Sequence, residues 1–219
     1  MLNPEQILSD QEYLEFHRRD LAMRREEPVV VQLCGNDPQV VVEAGKKLQD
    51  LCQGIGEDLA LPCETVANDC YSLPSYLDLN LGCPQQAAQE GHFGAYLLAQ
   101  KDWPLVETIV SSMAHSFITP VSTKIRLCQP AEKTLDFVER LQAQGSAWVT
   151  LHARTVSARR RRQGAADLSQ VKRIKDSPAI HVPIISNGNV RCFSDLSQNL
   201  SLTGADGLMV GETLLGNPW

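Results

Sequence analysis

Six short runs of β-branched and apolar residues recur along the chain, at residues 29–33, 76–80, 121–126, 148–152, 182–187 and 207–211. Helical patterns lie between them: Val41, Ala44, Leu48 and Leu51; Leu105, Val106, Ile109, Val110 and Met113; Leu135, Val138 and Leu141; Leu168, Val171 and Ile174; Phe193, Leu196 and Leu200. Strict alternation of this kind implies βα units around a parallel sheet, either a closed barrel or an open doubly wound sheet. The polar strand ends decide for the barrel. Gln32, Asn80, Lys124 with Arg126, His152 and Asn187 each stand at the carboxyl end of their own strand, and in a barrel those ends converge on one mouth. A complete eight-stranded barrel takes about 250 residues. With 219 residues and six strand runs, the expectation is an α/β fold of the (β/α)8 TIM type, incomplete, with about six of eight strands in one domain over residues 1–219.

Two stretches resist the pattern. Residues 1–27 read as a helical lead-in, charged and loosely helical from 10 to 25, with no apolar strand before them. Residues 54–75 form an unusual insertion where a helix-to-strand connection normally takes about 2–6 residues. It is polar, punctuated by Gly and Pro and without clean periodicity, which predicts an exposed, poorly ordered segment.

Composition removes several classes of function. No run approaches the roughly 18 apolar residues of a membrane span, and no basic-then-apolar leader opens the chain. The seven cysteines are scattered, without CxxC pairs or disulfide-framework spacing, so neither a metal site nor an oxidising compartment is expected. An intracellular home, cytoplasmic or nuclear, follows. Net charge is −6, which argues against affinity built mainly on phosphate neutralisation. The local exception is Arg159, Arg160, Arg161 and Arg162 with Lys172, Arg173 and Lys175. That set reads either as an RNA-contacting face or as a solvated loop.

The most specific signal is Leu77-Asp78-Leu79-Asn80-Leu81-Gly82-Cys83-Pro84-Gln85 followed by Gly91-His92-Phe93-Gly94-Ala95-Tyr96-Leu97-Leu98. It resembles the active-site loop of the flavin-dependent tRNA-dihydrouridine synthases. Further matching segments follow the family order: Val31 to Pro38, Thr123 to Arg126, Thr150 to Thr155, Ile185 to Asn189, and Gly207 to Gly211 with Asn217-Pro218. The wording is most similar to the eukaryotic branch that acts in the D-loop, through Cys34-Gly35-Asn36-Asp37-Pro38, Gly82-Cys83-Pro84-Gln85, Asn187-Gly188-Asn189 and a glutamate, Glu212, in place of the more usual arginine. Against the family pattern the first two barrel strands are expected to be absent, with Met1-Leu2 resembling the end of the second. The final helix and the C-terminal helical RNA-binding domain are expected to be absent as well.

The resemblance implies FMN-dependent reduction of uridine to 5,6-dihydrouridine in tRNA, with NADPH as reductant. Such a reaction needs a hydride at one carbon of the C5–C6 bond and a proton at the other from the opposite face. Cys83 is the implied proton donor; outside this motif it would read as a small buried cysteine. For the cofactor, the resemblance implies Gln32, Lys124 and His152 around the ring or its phosphate, and Asn187, Gly188, Asn189, Gly211 and Glu212 at the phosphate. Glycine there permits close backbone approach, whereas Glu212 is itself a poor phosphate ligand. Asn80 and Arg126 are implied near an extruded uridine, with a polar rim as the alternative for Arg126 and a structural histidine as the alternative for His152. Two other readings remain open: another flavin-dependent barrel reductase of the dihydroorotate dehydrogenase kind, and a catalytically inactive, RNA-binding remnant.

Overall fold

The computed structural model describes residues 1–22, 28–58, 75–158, 164–211 and 213–214. Two short helices, α1 (Pro4–Ser9) and α2 (Gln11–Ala22), precede a regular series: β1 (Val30–Leu33), α3 (Pro38–Asp58), β2 (Tyr76–Leu81), α4 (Gln86–Glu90), α5 (Trp103–Ser116), β3 (Val121–Arg126), α6 (Lys133–Ala143), β4 (Val149–His152), α7 (Leu168–Lys175), β5 (Ile184–Asn187), α8 (Ser194–Thr203) and β6 (Gly207–Met209). The six strands form one parallel sheet in chain order, β1-β2-β3-β4-β5-β6, curled into a half barrel. All six strand runs read from the sequence are present: β3 matches its run, β2 extends one residue beyond it, and the other four are shorter by one to two residues.

Each strand is two-sided, and the two sides have opposite chemistry. Leu77, Leu79 and Leu81 of β2, Ile125 of β3 and Val149 and Leu151 of β4 are fully buried. They pack against Val41, Ala44 and Leu48 of α3, Val106, Ile109 and Met113 of α5, and Phe137, Val138 and Leu141 of α6. At about 1.5–3 kcal/mol for each fully buried large aliphatic side chain, this layer between sheet and helices is what holds the sheet in shape. The alternating positions carry Gln32, Asp78, Asn80, Ser122, Lys124 and Thr150, which face the concave side of the curl. Side-chain alternation thus gives β2 to β4 a largely apolar outer face and a largely polar inner one.

The lead-in is helical, as expected, and is tied to the body. Ile7, Leu14 and Leu21 are buried at seven-residue spacing, and the Lys47 ammonium of α3 donates to the carbonyls of Ile7 at 2.9 Å and Leu8 at 3.4 Å, capping the end of α1. Leu2 forms an isolated parallel bridge with Leu33: its N–H donates to the Gln32 carbonyl at 2.7 Å and its carbonyl accepts from Cys34 at 3.2 Å. It therefore occupies the edge of β1 where a preceding strand of a barrel would pair.

One boundary departs from the expectation. Helix α3 starts under an Asp37 cap, whose Oδ1 accepts from Gln39 N–H at 2.8 Å and Val40 N–H at 3.2 Å. It then runs through Gly54 and Gly56 to Asp58 instead of stopping before Gly54. A helical glycine costs only about 1 kcal/mol relative to alanine, so a helix already anchored by Val41, Ala44 and Leu48 propagates through two of them. Residues 59–74 of the expected insertion, Arg159 to Arg162, Glu212 and residues 215–219 lie outside the described residues.

Candidate active site

The strand register sets the site out in rows. Asn80 stands beside Lys124, and Lys124 beside Thr150; one row nearer the mouth, Arg126 stands beside His152, and His152 beside Asn187. Four strands thus bring these residues to one end of the curl, although they are spread over more than a hundred positions of sequence.

Cys83 follows β2 on a turn held from three sides. Its N–H donates to Asn80 Oδ1 at 2.9 Å, beside a second donation from Gly82 N–H at 3.1 Å. Its carbonyl accepts from Ala95 N–H at 3.1 Å. Gly94 has φ of +63°, and a Cβ placed there would stand 3.0 Å from the Cys83 Cβ, so only glycine allows the downstream chain to lie this close. Arg126 closes the third side: its Nε donates to the Gly82 carbonyl at 2.9 Å, while Nη1 reaches the carbonyls of Thr155 at 2.9 Å and Ala158 at 3.0 Å. Of its five N–H groups, those of Nη2 have no hydrogen-bond partner among the described residues. The Cys83 thiol is free and partly exposed.

Below this turn lies a polar chain. Asn80 Nδ2 donates to Gln32 Oε1 at 2.7 Å, Gln32 Nε2 donates to Asp78 Oδ2 at 2.7 Å, and the Ser122 hydroxyl donates to Asp78 Oδ1 at 2.6 Å. Asp78 is 4% exposed. Burial raises its pKa above the usual carboxylate range, against the hydrogen bonds from Ser122 and Gln32 and the charge of Lys124, which lower it. Asn80 has its amide engaged by the turn on one side and by Gln32 on the other.

Gln32, Asp78, Ser122, Lys124 and Thr150 wall a cleft of about 660 Å³ with Val30, Ile185 and Leu208. Burial pulls the Lys124 pKa down to about 8, partly offset by the Asp78 charge and reinforced by Arg126. Among the described residues its ammonium has no hydrogen-bond or ion-pair partner, and the buried Thr150 hydroxyl has no hydrogen-bond partner. A partly buried cation that faces a cleft with no direct hydrogen-bond or ion-pair partner is a receptive place for a ligand that carries or develops negative charge. The pyrimidine edge of a flavin is such a ligand. His152, at the same end, is pushed down to about 3, first by burial and then by Arg126, Lys124 and Arg154. It is a neutral imidazole, a donor at one nitrogen and an acceptor at the other.

A second cleft, of about 160 Å³, lies over the ends of β5 and β6, lined by His152, Arg154, Asn187, Gly188, Arg191 and Gly211 among others. Gly188 has φ of +125°, and a Cβ there would meet the Ala166 Cβ at 2.7 Å with the His152 ring next to it. The side chains of the flanking asparagines are committed within the chain. Asn187 Nδ2 donates to the Met209 carbonyl at 2.7 Å, while Asn189 clips Ala166 from both sides, accepting from its N–H at 2.7 Å and donating to its carbonyl at 2.8 Å. What these two residues offer a phosphate is therefore backbone, with Arg154 and Arg191 supplying the charge.

Residues 57–219 match the dihydrouridine synthase (Dus) family. The chain belongs to the dihydrouridine synthase family. Among curated relatives, the mouse "tRNA-dihydrouridine(16/17) synthase [NAD(P)(+)]-like" protein is 30% identical over 218 residues, covering all of this chain and 40% of that protein. The tRNA-dihydrouridine(16/17) synthase of Saccharomyces cerevisiae is 29% identical over 87% of this chain and 40% of its own length. The human "tRNA-dihydrouridine(20a/20b) synthase [NAD(P)+]-like" protein is 29% identical over 87% of this chain and 52% of its own length. This dihydrouridine synthase chain thus spans about half or less of the curated relatives it matches. Of solved structures, the YdjI aldolase from Escherichia coli K12 is 15% identical, with a TM-score of 0.43, over 91% of this chain and 71% of that one.

Within this dihydrouridine synthase site, the structure brings Cys83, Gln32, Lys124, His152, Asn80 and Arg126 to one mouth and sets Asn187, Gly188, Asn189 and Gly211 beside it; Glu212 lies outside the described residues. The sequence reading singled out neither Asp78, Arg154 nor Arg191. Strand alternation could have found Asp78, which shares its face with Asn80. The expected basic face on α7 is partly neutralised: Lys172 pairs with Asp176 at 2.9 Å and Lys175 with Asp206 at 2.7 Å. No described helix is long and apolar enough to cross a membrane.

Proposed function

We propose that this chain carries the catalytic centre for FMN-dependent reduction of uridine to 5,6-dihydrouridine in tRNA, with NADPH as the source of electrons. The observation that carries this reading is a free thiol on a rigidly held turn that is hydrogen-bonded through Asn80 to Gln32, which with the unpartnered Lys124 walls a cleft. The names of the relatives, tRNA-dihydrouridine synthases using NAD(P), support it. When bound, FMN supplies the hydride chemistry that no side chain can perform.

The chain's own residues do the rest. Gln32 keeps one Nε2 proton and one Oε1 lone pair beyond its bonds to Asp78 and Asn80, and would present them to the pyrimidine edge of the ring. Lys124 would balance negative charge developing at that edge. His152, neutral, would donate one hydrogen bond without adding charge. Backbone N–H groups around Gly188 and Gly211, with Arg154 and Arg191, would hold the phosphate. Cys83 would transfer its thiol proton to the uracil carbon opposite the hydride, and Arg126 Nη2 would meet the extruded base. Backbone readout of tRNA would draw on local basic residues, because the net charge of −6 disfavours broad phosphate attraction.

The test loads the purified chain with FMN, adds NADPH and unmodified tRNA transcript, and seeks nucleosides heavier by two hydrogens. Dihydrouridine that depends on both cofactor and reductant is the expected result. Flavin binding without product would leave a binding protein in place of an enzyme, and failure to bind FMN would remove the flavin reading.

A further inference from the structure

We propose that Asp78 is a positioning residue that fixes the orientation of the Gln32 amide and, through Asn80, the position of the Cys83 turn. The inference rests on the proposed function only for what Gln32 and Cys83 meet beyond the chain.

A carboxylate oxygen accepts and cannot donate, so the Gln32 atom 2.7 Å from Asp78 Oδ2 must be Nε2. Gln32 Oε1 then faces Asn80, which must present Nδ2 to it at 2.7 Å. Asn80 Oδ1 is left for the backbone N–H groups of Gly82 at 3.1 Å and Cys83 at 2.9 Å. Backbone amides only donate, so reading from this end gives the same assignment. Both ends of the relay agree: a flip at Gln32 would set acceptor against acceptor at Asp78 and donor against donor at Asn80, and a flip at Asn80 would set acceptor against acceptor at Gln32 and donor against donor at the Gly82 and Cys83 amides. Amide side chains have no intrinsic preference between their two orientations. The forced end at Asp78 supplies it.

Burial is what keeps this mechanism honest in energy. Asp78 is 4% and Asn80 8% exposed, so a broken link has no water at hand to replace it and costs more than an exposed one. Ser122, donating at 2.6 Å, holds the other carboxylate oxygen and stops the carboxyl group from turning away. Asp78 thus ties a side chain at the cleft wall to a thiol two strand positions and one turn away, without touching that thiol itself.

Two substitutions separate polarity from charge. Asp78→Asn can keep the relay, with its Oδ1 accepting from Gln32 and its Nδ2 donating to a rotated Ser122 hydroxyl. Asp78→Ala removes the acceptor. In flavin-free protein, the rate of Cys83 alkylation by iodoacetamide, followed by peptide mass spectrometry with Cys192 as internal reference, reports the hold on the turn. Asp78→Ala is expected to raise that rate about three- to tenfold, the factor for one lost hydrogen-bonded link, and Asp78→Asn to leave it within twofold of the native rate (about the noise of one weak contact). Gln32→Ala cuts the relay one link nearer the turn and should raise the rate as Asp78→Ala does, which keeps the test decisive if the Asp78→Ala chain fails to fold. An unchanged rate in Gln32→Ala, or an Asp78→Asn rate as high as that of the cut variants, overturns the inference. FMN titration of the native chain by flavin fluorescence is run beside it: absence of binding would sink the cofactor reading while leaving the alkylation result to stand or fall alone.

Discussion

Replacing Lys124 with methionine should make the flavin-free chain more stable at neutral pH. Burial lowers the lysine pKa from its ordinary 10.5 to about 8. The folded state therefore binds the proton less tightly than the unfolded chain, and below pH 8 the charged ammonium is a cost to folding. At about 1.4 kcal/mol per pH unit, the gap between 10.5 and 8 corresponds to about 3 kcal/mol. Methionine has similar length and no charge, so it removes that cost. The value of about 8 already includes the opposing Asp78 charge, so the expected net gain at neutral pH is about 3 kcal/mol. The sign of the pH dependence follows. Between the folded and unfolded pKa values the unfolded native chain holds more protons, so native stability rises with pH across that window and the advantage of the variant shrinks toward zero near pH 10.5. Urea unfolding of both proteins at about pH 7 and about pH 10, compared by midpoint at equal slope, measures this. A variant less stable than the native chain at pH 7, or a difference that does not shrink with pH, would refute the claim that this ammonium is held at a cost. The same substitution should slow flavin reduction by NADPH, so stability and chemistry move in opposite directions.

In flavin-loaded protein, Cys83→Ala should accept hydride from NADPH at near-native rate yet lose about 10²–10⁴-fold in uridine reduction; stopped-flow absorbance of the flavin, with tRNA added in a second mix, separates the two steps, and equal losses in both would make Cys83 a loop-holding residue only. His152, held at about 3, should show flat ring-proton chemical shifts from about pH 5 to about pH 8 by NMR, and a midpoint inside that range would contradict its burial. Gly94→Ala forces a side chain into φ of +63° and to 3.0 Å from Cys83 Cβ; it should cost about 1–2 kcal/mol in thermal unfolding and speed Cys83 alkylation, and an unaltered alkylation rate would disconnect residue 94 from the turn.

The barrel-type alternation was legible because each strand from β2 on pairs with the strand before it and β1, β2 and β4 carry an apolar face, so the periodic signal is strong and local. Leu77, Leu79 and Leu81 mark one face of β2 unmistakably. The same logic places Gln32, Asn80, Lys124, Arg126 and His152 at the strand ends, where they are found. What was not legible depends on partners distant in sequence. That the Asn189 side chain is taken on both sides by Ala166, 23 positions earlier, cannot be read from the local motif. That the carbonyls of Gly82, Thr155 and Ala158 take three of the Arg126 donors, leaving only Nη2, is likewise invisible in the sequence. The end of α3 was misread because glycine lowers helix propensity without forbidding helix, and packing upstream settles the matter.

Strand order that equals chain order has a consequence for biogenesis. As the polypeptide leaves the ribosome, each strand finds its only required neighbour already made, so assembly can proceed vectorially and never waits on a distant segment. The relay from Asp78 through Gln32 and Asn80 to Cys83 is complete in residues up to 83. The Gly94 contact and then Arg126 tighten it as they emerge. The thiol is thus seated while Lys124 and His152 are still unsynthesised or newly emerging, and the nascent chain shapes its reactive turn before the cleft opposite exists.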